Sequence, residues 1–297
     1  MAASEYRSSA YQALTDRERA ERAARSGGEP ILEFGDSLTP FVSYVRSDVL
    51  LSLQNFRTKS PSEPAFLIAT QVMELMFKLG HIEVLQVRDL LDADEIDAAL
   101  WALRRVRSVQ SLLTDVWELL SPLSPADYGE FRDQLGDGSG FQSFAYRQWE
   151  FALGNKNAAM ARPHAGDRAT HGELLRVLSE PSLYDAVIRL LGRNGLPIPA
   201  DCADRDWAQP YRARPEVEQA WRQVYQERDR YQVLHRLAET LVDVAYEFGK
   251  WRATHLLVVE RVLGSKPGTG GTSGVDWLRR AAEHRFFPEL WSVRGVL

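Results

Sequence analysis

Three stretches of the chain place unusual residue types where they could do chemistry. In Trp251-Arg-Ala-Thr-His-Leu-Leu-Val-Val-Glu260, His255 sits in a largely apolar run with helical spacing. Such an imidazole can serve as the proximal ligand of a heme iron, its ring nitrogen coordinating while the apolar shell excludes water. It can equally be a core histidine hydrogen-bonded to a neighbouring helix. In Gly264-Ser-Lys-Pro-Gly-Thr-Gly-Gly-Thr-Ser-Gly274, five glycines let backbone amides approach a guest closely, and four hydroxyls add donors. An anionic group suits that loop, and a flexible surface connection has the same composition. In the stretch from Ser139 to Asn157, Arg147 lies among aromatic residues. Its planar fork matches a carboxylate through two parallel hydrogen bonds, which either Glu150, three residues on, or a bound carboxylate could accept.

Other chemistries find no support. Lys266 precedes most of the glycines, whereas a phosphate loop ends in Gly-Lys-Ser/Thr, and the third glycine of a dinucleotide fingerprint falls one residue late. The remaining histidines, His81, His164, His171, His235 and His284, show no metal-ligand spacing. No Gly-x-Ser-x-Gly elbow occurs, and Cys202 lies in an Asp-rich loop that would raise its pKa.

The elements that must position these residues read as helices. Apolar spacing predicts a helix over residues 44–55, through Val45, Val49, Leu50 and Leu53. A second opens at Pro61-Ser-Glu-Pro64 and runs to Leu79, apolar on most of its circumference and therefore central. Residues 94–120 carry the longest i, i+3, i+4 pattern. Short helices follow from Ser124 and over residues 141–153, 173–180 and 182–191, and one long helix is expected over 215–263. Strand-like alternation is scarce, so the expected fold is all-α, a helical bundle with long central helices.

Composition narrows the class. The 297 residues, 44% of them hydrophobic, suffice for a sizeable core. Residues 1–35, poor in large apolar side chains, read as an arm, mobile or swapped between subunits, and 36–297 as a single domain. A net charge of -5 without blocks of like charge argues against a nucleic-acid partner. A single cysteine and a start without an apolar leader point to the cytoplasm, and apolar runs such as FLIAT and HLLVV are too short to span a bilayer.

Taken together, four blocks resemble the tryptophan 2,3-dioxygenase family. They are Tyr44-Val-Arg-Ser-Asp-Val-Leu-Leu, then Phe66-Leu-Ile-Ala-Thr-Gln-Val-Met-Glu-Leu-Met-Phe-Lys78, then Gly140-Phe-Gln-Ser through Asn157, and the segment from Trp251 to Leu297 with Arg285-Phe-Phe-Pro-Glu-Leu-Trp-Ser-Val-Arg294. The resemblance implies heme b between helices with His255 as its proximal ligand. It implies Arg147 as the clamp on the substrate carboxylate, and Thr269 with Gly270 contacting the amino acid's ammonium and carboxylate ends. It also implies Phe66 packing on the indole, and Phe41 and Tyr44 near the pocket, donated by a neighbouring subunit of a homotetramer. The reaction so implied inserts oxygen from O2 at the indole C2–C3 bond of tryptophan or a substituted tryptophan, the cofactor carrying the chemistry and the protein orienting the ring.

One departure bears on the outcome. Where the family has a distal histidine in Phe-x-x-x-His-Gln, this chain has Thr70, whose hydroxyl can hydrogen-bond but cannot act as a base near neutral pH. Pro61-Ser-Glu63 replaces the family's His-Asp-Glu run, and Phe41 replaces a tyrosine. Dioxygenation stays feasible, because the related indoleamine 2,3-dioxygenases also lack that histidine. Single-oxygen insertion giving a hydroxylated or oxindole product is the alternative, as in the maremycin-pathway β-methyltryptophan oxygenase of the same superfamily. A non-catalytic heme or tryptophan sensor is a third.

Overall fold

A computed structural model describes residues 13–34 and 38–297, and among them the secondary structure is helical, with no strand. The chain divides into two compact units, Met1–Asn55 and Phe56–Leu297. The first holds α1 (Asp16–Arg25), α2 (Pro40–Val45) and α3 (Ser47–Leu50). Thr15 opens α1 with a capping box, its side chain and that of Glu18 each accepting from the other's backbone N–H. The helix expected over 44–55 is instead interrupted: Arg46 adopts a left-handed φ of 56° that separates α2 from α3. Its apolar residues Val45, Val49, Leu50 and Leu53 are exposed rather than gathered on one buried face.

The second unit is built around α4 (Glu63–Asp92), α5 (Ile96–Val116) and α12 (Gln232–Leu263). On α4 the buried residues Ala69, Met73, Phe77, Gly80, Val84, Val87 and Leu91 recur every three or four positions, which makes one continuous apolar stripe. By length and composition α4 could cross a membrane, but that stripe packs against α5, α7 (Phe144–Leu153) and α9 (Leu183–Arg193), as a core helix does. The turn from α4 to α5 closes with Glu95 N–H donating to Leu90 O and Asp94 N–H to Leu91 O, with Asp94 at φ 60°. This pair of bonds satisfies the last carbonyls of α4 and reverses the chain.

The helix predicted over 215–263 is two helices, α11 (Pro215–Gln226) and α12. The break falls on Glu-Arg-Asp-Arg at 227–230, a run with no apolar residue to bury, and each flanking stripe packs on its own partners. The rest of the unit comprises α6 (Pro125–Arg132), α8 (Arg168–Ser179), α10 (Ala200–Ala203), α13 (Val275–Glu283) and α14 (Pro288–Ser292). The core runs through all the long helices, and close approach is visible at Gly80. A Cβ there would lie 2.7 Å from Trp149 Cε2, so only glycine lets the indole seat against α4.

Candidate functional site

Ser143 caps α7 by accepting from Tyr146 N–H, and the helix then turns Arg147 and Glu150 inward. Arg147 is 4% exposed. Its Nη1 donates to Glu150 Oε2 at 2.6 Å and its Nη2 to Phe141 O at 3.3 Å, while Nε has no partner among the described residues. Glu150 Oε1 is shared: it accepts from Arg252 Nη2 at 2.6 Å, from Asn155 Nδ2 at 2.9 Å and from Tyr146 OH at 3.2 Å. The Tyr146 hydroxyl in turn accepts from Arg252 Nη2 at 3.1 Å. Burial alone would raise the Glu150 carboxyl, but the guanidinium groups of Arg147 and Arg252 hold it below its ordinary range. Tyr146 is pushed up to about 12 by burial and stays neutral. Two buried guanidinium groups thus share one carboxylate, leaving the cluster with an uncompensated positive charge and an unused N–H. In a dry interior that combination favours an anion.

The glycine loop is seated beside this cluster. Thr269 Oγ1 donates to Gly138 O at 2.6 Å, and Arg132 Nη2 donates to Pro267 O at 2.7 Å. At Gly270 a Cβ would lie 2.7 Å from Ser139 Cβ, so a side chain would push the loop off the 138–142 segment. That segment leads into α7, and Phe141 of it both accepts from Arg147 and packs edge-on against Trp277, 5.5 Å between ring centroids. These contacts tie the middle of the loop to the 138–142 segment and to Arg132, while Gly264, Ser265, Lys266 and Pro267 are exposed.

His255 lies on α12, three residues after Arg252 and on the same side of the helix. Its ring stacks on Trp117 with 4.4 Å between centroids and 11° between planes, and Trp251 packs 5.7 Å away. It makes no hydrogen bond to any described residue. Part of its surface stays accessible, yet the ring is packed deeply enough that burial pushes its pKa down to about 4. A neutral imidazole with free nitrogens in an apolar shell is what a heme iron requires of an axial ligand, so the residues present fit that group.

On α4, Phe77 touches both Tyr146 and Trp251, at 5.3 and 5.5 Å between centroids, and so brings a third helix to the cluster. Phe66 and Thr70 lie earlier on α4. Phe66 packs against Tyr128 and Phe131, and Thr70 is exposed, its hydroxyl donating to Phe66 O at 2.8 Å. No ring contact or hydrogen bond joins either directly to Arg147 or His255. Phe41 and Tyr44 belong to the first unit and are 69% and 85% exposed. Sequence reasoning missed Arg252 and the Trp117 stack. Arg252 had a signal, a charge inside an apolar helical run three residues before His255, whereas the Trp117 ring comes from a different helix, 138 positions away.

Comparison with known proteins places these features in context. The family model described as tryptophan 2,3-dioxygenase matches residues 26–297. The chain is similar to a tryptophan 2,3-dioxygenase of Burkholderia pseudomallei, 43% identical over 266 residues that cover 90% of this chain and 87% of the relative. A Myxococcus xanthus protein of the same name is 43% identical over 261 residues, 87% and 90% of the two chains. One from Exiguobacterium sibiricum is 40% identical over 283 residues, 95% and 99% of the two.

Proposed function

The chain belongs to the tryptophan 2,3-dioxygenase family, and from that membership we propose that it is a heme-dependent oxygenase acting at the indole C2–C3 bond of tryptophan or a substituted tryptophan. The observation that carries the reading is the buried Arg147–Glu150–Arg252 cluster, positively charged and joined through α12 to a neutral, unpartnered imidazole. His255 would hold heme b, which when bound supplies activation of O2. Arg147 donates to the substrate carboxylate from its unpaired Nε–H. Thr269 and Gly270 meet the ammonium and carboxylate ends from a loop already fixed against Gly138 and Ser139, and Phe66 packs on the indole. Phe41 and Tyr44 complete a neighbouring subunit's pocket in a homotetramer, a role supported by their exposure on α2. A single buried cysteine suits a reducing cytoplasm.

A second outcome is favoured by one observation. Thr70 already donates its proton to Phe66 O and offers only a weakly basic lone pair, so no base at this position can take the indole proton. A one-oxygen product from a β-substituted tryptophan is therefore the competing reading. Hemin-loaded protein should show a Soret band that His255→Ala abolishes. With O2, a reductant and a panel of tryptophan analogues, product masses then separate gain of two oxygens from gain of one. Absence of the band, or its survival in the variant, would remove the heme assignment.

A further inference from the structure

Arg252 is 6% exposed, and every polar atom it reaches belongs to the clamp or borders it. Nη2 donates to Glu150 Oε1 and to Tyr146 OH, Nε to Tyr146 OH at 3.3 Å, and Nη1 to His284 O at 3.3 Å with His284 Nδ1 at 3.5 Å. Its guanidinium also lies 4.7 Å from the Phe248 ring centroid. Burial pushes His284 down to about 4 and Tyr146 up to about 12, so both are neutral around pH 7. The charges hydrogen-bonded to one another in the cluster are then Arg147, Arg252 and Glu150, while exposed Arg285 meets the cluster only at the outer His284 O. Without Arg252, Arg147 and Glu150 form a neutral buried pair, and a carboxylate entering beside them would carry an uncompensated negative charge.

We infer that Arg252 is the positioning residue of the carboxylate clamp: it supplies the surplus positive charge and draws Glu150 to one side. Glu150 then takes only the Nη1 corner of Arg147 and leaves the Nε edge for the ligand. Because Arg252 sits one helical turn before His255, it also anchors the clamp to the helix that carries the iron ligand. The inference rests on reading Arg147 as the contact for the substrate carboxylate.

The test compares L-tryptophan with tryptamine, which has the indole and the amine but no carboxylate, by calorimetric binding to hemin-loaded protein. Arg252→Met should weaken tryptophan binding about tenfold, the size of coupling usual within one hydrogen-bond network, and leave tryptamine affinity unchanged. Arg252→Lys keeps the charge and should recover most of the tryptophan affinity. Should the Met variant fail to fold, Tyr146→Phe, which removes a hydroxyl that Arg252 bonds, should show a smaller loss confined to tryptophan. Equal losses for both ligands, no loss for either, or a Lys variant as poor as the Met variant would each overturn the inference. Arg147→Ala, measured alongside, separates the two levels. If it discriminates between the ligands and Arg252→Met does not, the positioning role alone fails; if Arg147→Ala does not discriminate, the clamp reading fails with it.

Discussion

Position 70 shows how much can turn on one side chain. Its hydroxyl satisfies the Phe66 carbonyl one turn back, a bond that threonine makes readily in a helix. A histidine in its place would add a group that titrates at about 6.5. In hemin-loaded Thr70→His the pH profile of kcat for tryptophan should therefore acquire a step near that value, with a changed ratio of one-oxygen to two-oxygen products. An unaltered profile and product ratio would show that this position does not govern the outcome. At Arg147 the residue types alone left two partners open, Glu150 or a bound carboxylate. In the structure Glu150 takes one corner of the guanidinium, and Nε is left without a hydrogen-bond partner among the described residues. No pattern within α7 indicates that division, because Arg252, which draws Glu150 aside, comes from α12.

Among elements, the α4–α7 contact sets where Arg147 stands relative to α4. The Trp149 ring fills the space beside Gly80, and Phe77, one turn earlier, meets Tyr146 and Trp149. Gly80→Ala should destabilise the protein by about 1 to 3 kcal/mol through overpacking, in spite of alanine's higher helix propensity. A denaturant titration that found the variant as stable as the parent would mean that the indole can shift freely. Helix positions were legible where apolar residues recur every three or four places, as in α4 and α5. They were not legible at Arg46 or at residues 227–230, where the chain changes direction without glycine or proline to announce it.

For the whole molecule, buried neutral histidine makes stability depend on pH. His284 is held near 4 in the folded protein by burial and by the Arg252 guanidinium, against an ordinary value of 6.5. Between those values the unfolded chain binds the extra proton, so stability is retained above about pH 6.5 and falls as the pH drops toward 4. One such group contributes at most about 1.4 kcal/mol per pH unit in that window. His255 is lowered in the same way, so His284→Gln should reduce but not remove the slope of the unfolding free energy between pH 6.5 and 4, and a curve parallel to the parent's would contradict this account.

The residues in order already specify an all-α chain and the family to which it belongs, and they single out His255, Arg147, Thr269 and Thr70 as candidates, because periodicity and motif spacing are local properties of a helix or loop. How these groups are charged and aimed is a property of the packed protein. His255 is neutral because Trp117 and Trp251 enclose it, the glycine loop is held because Gly138 and Ser139 receive it, and Arg147 keeps an unpaired Nε–H while Arg252 reaches Glu150 from another helix. Burial and electrostatic pairing arise between segments far apart in the chain, so they exist only once the helices have come together.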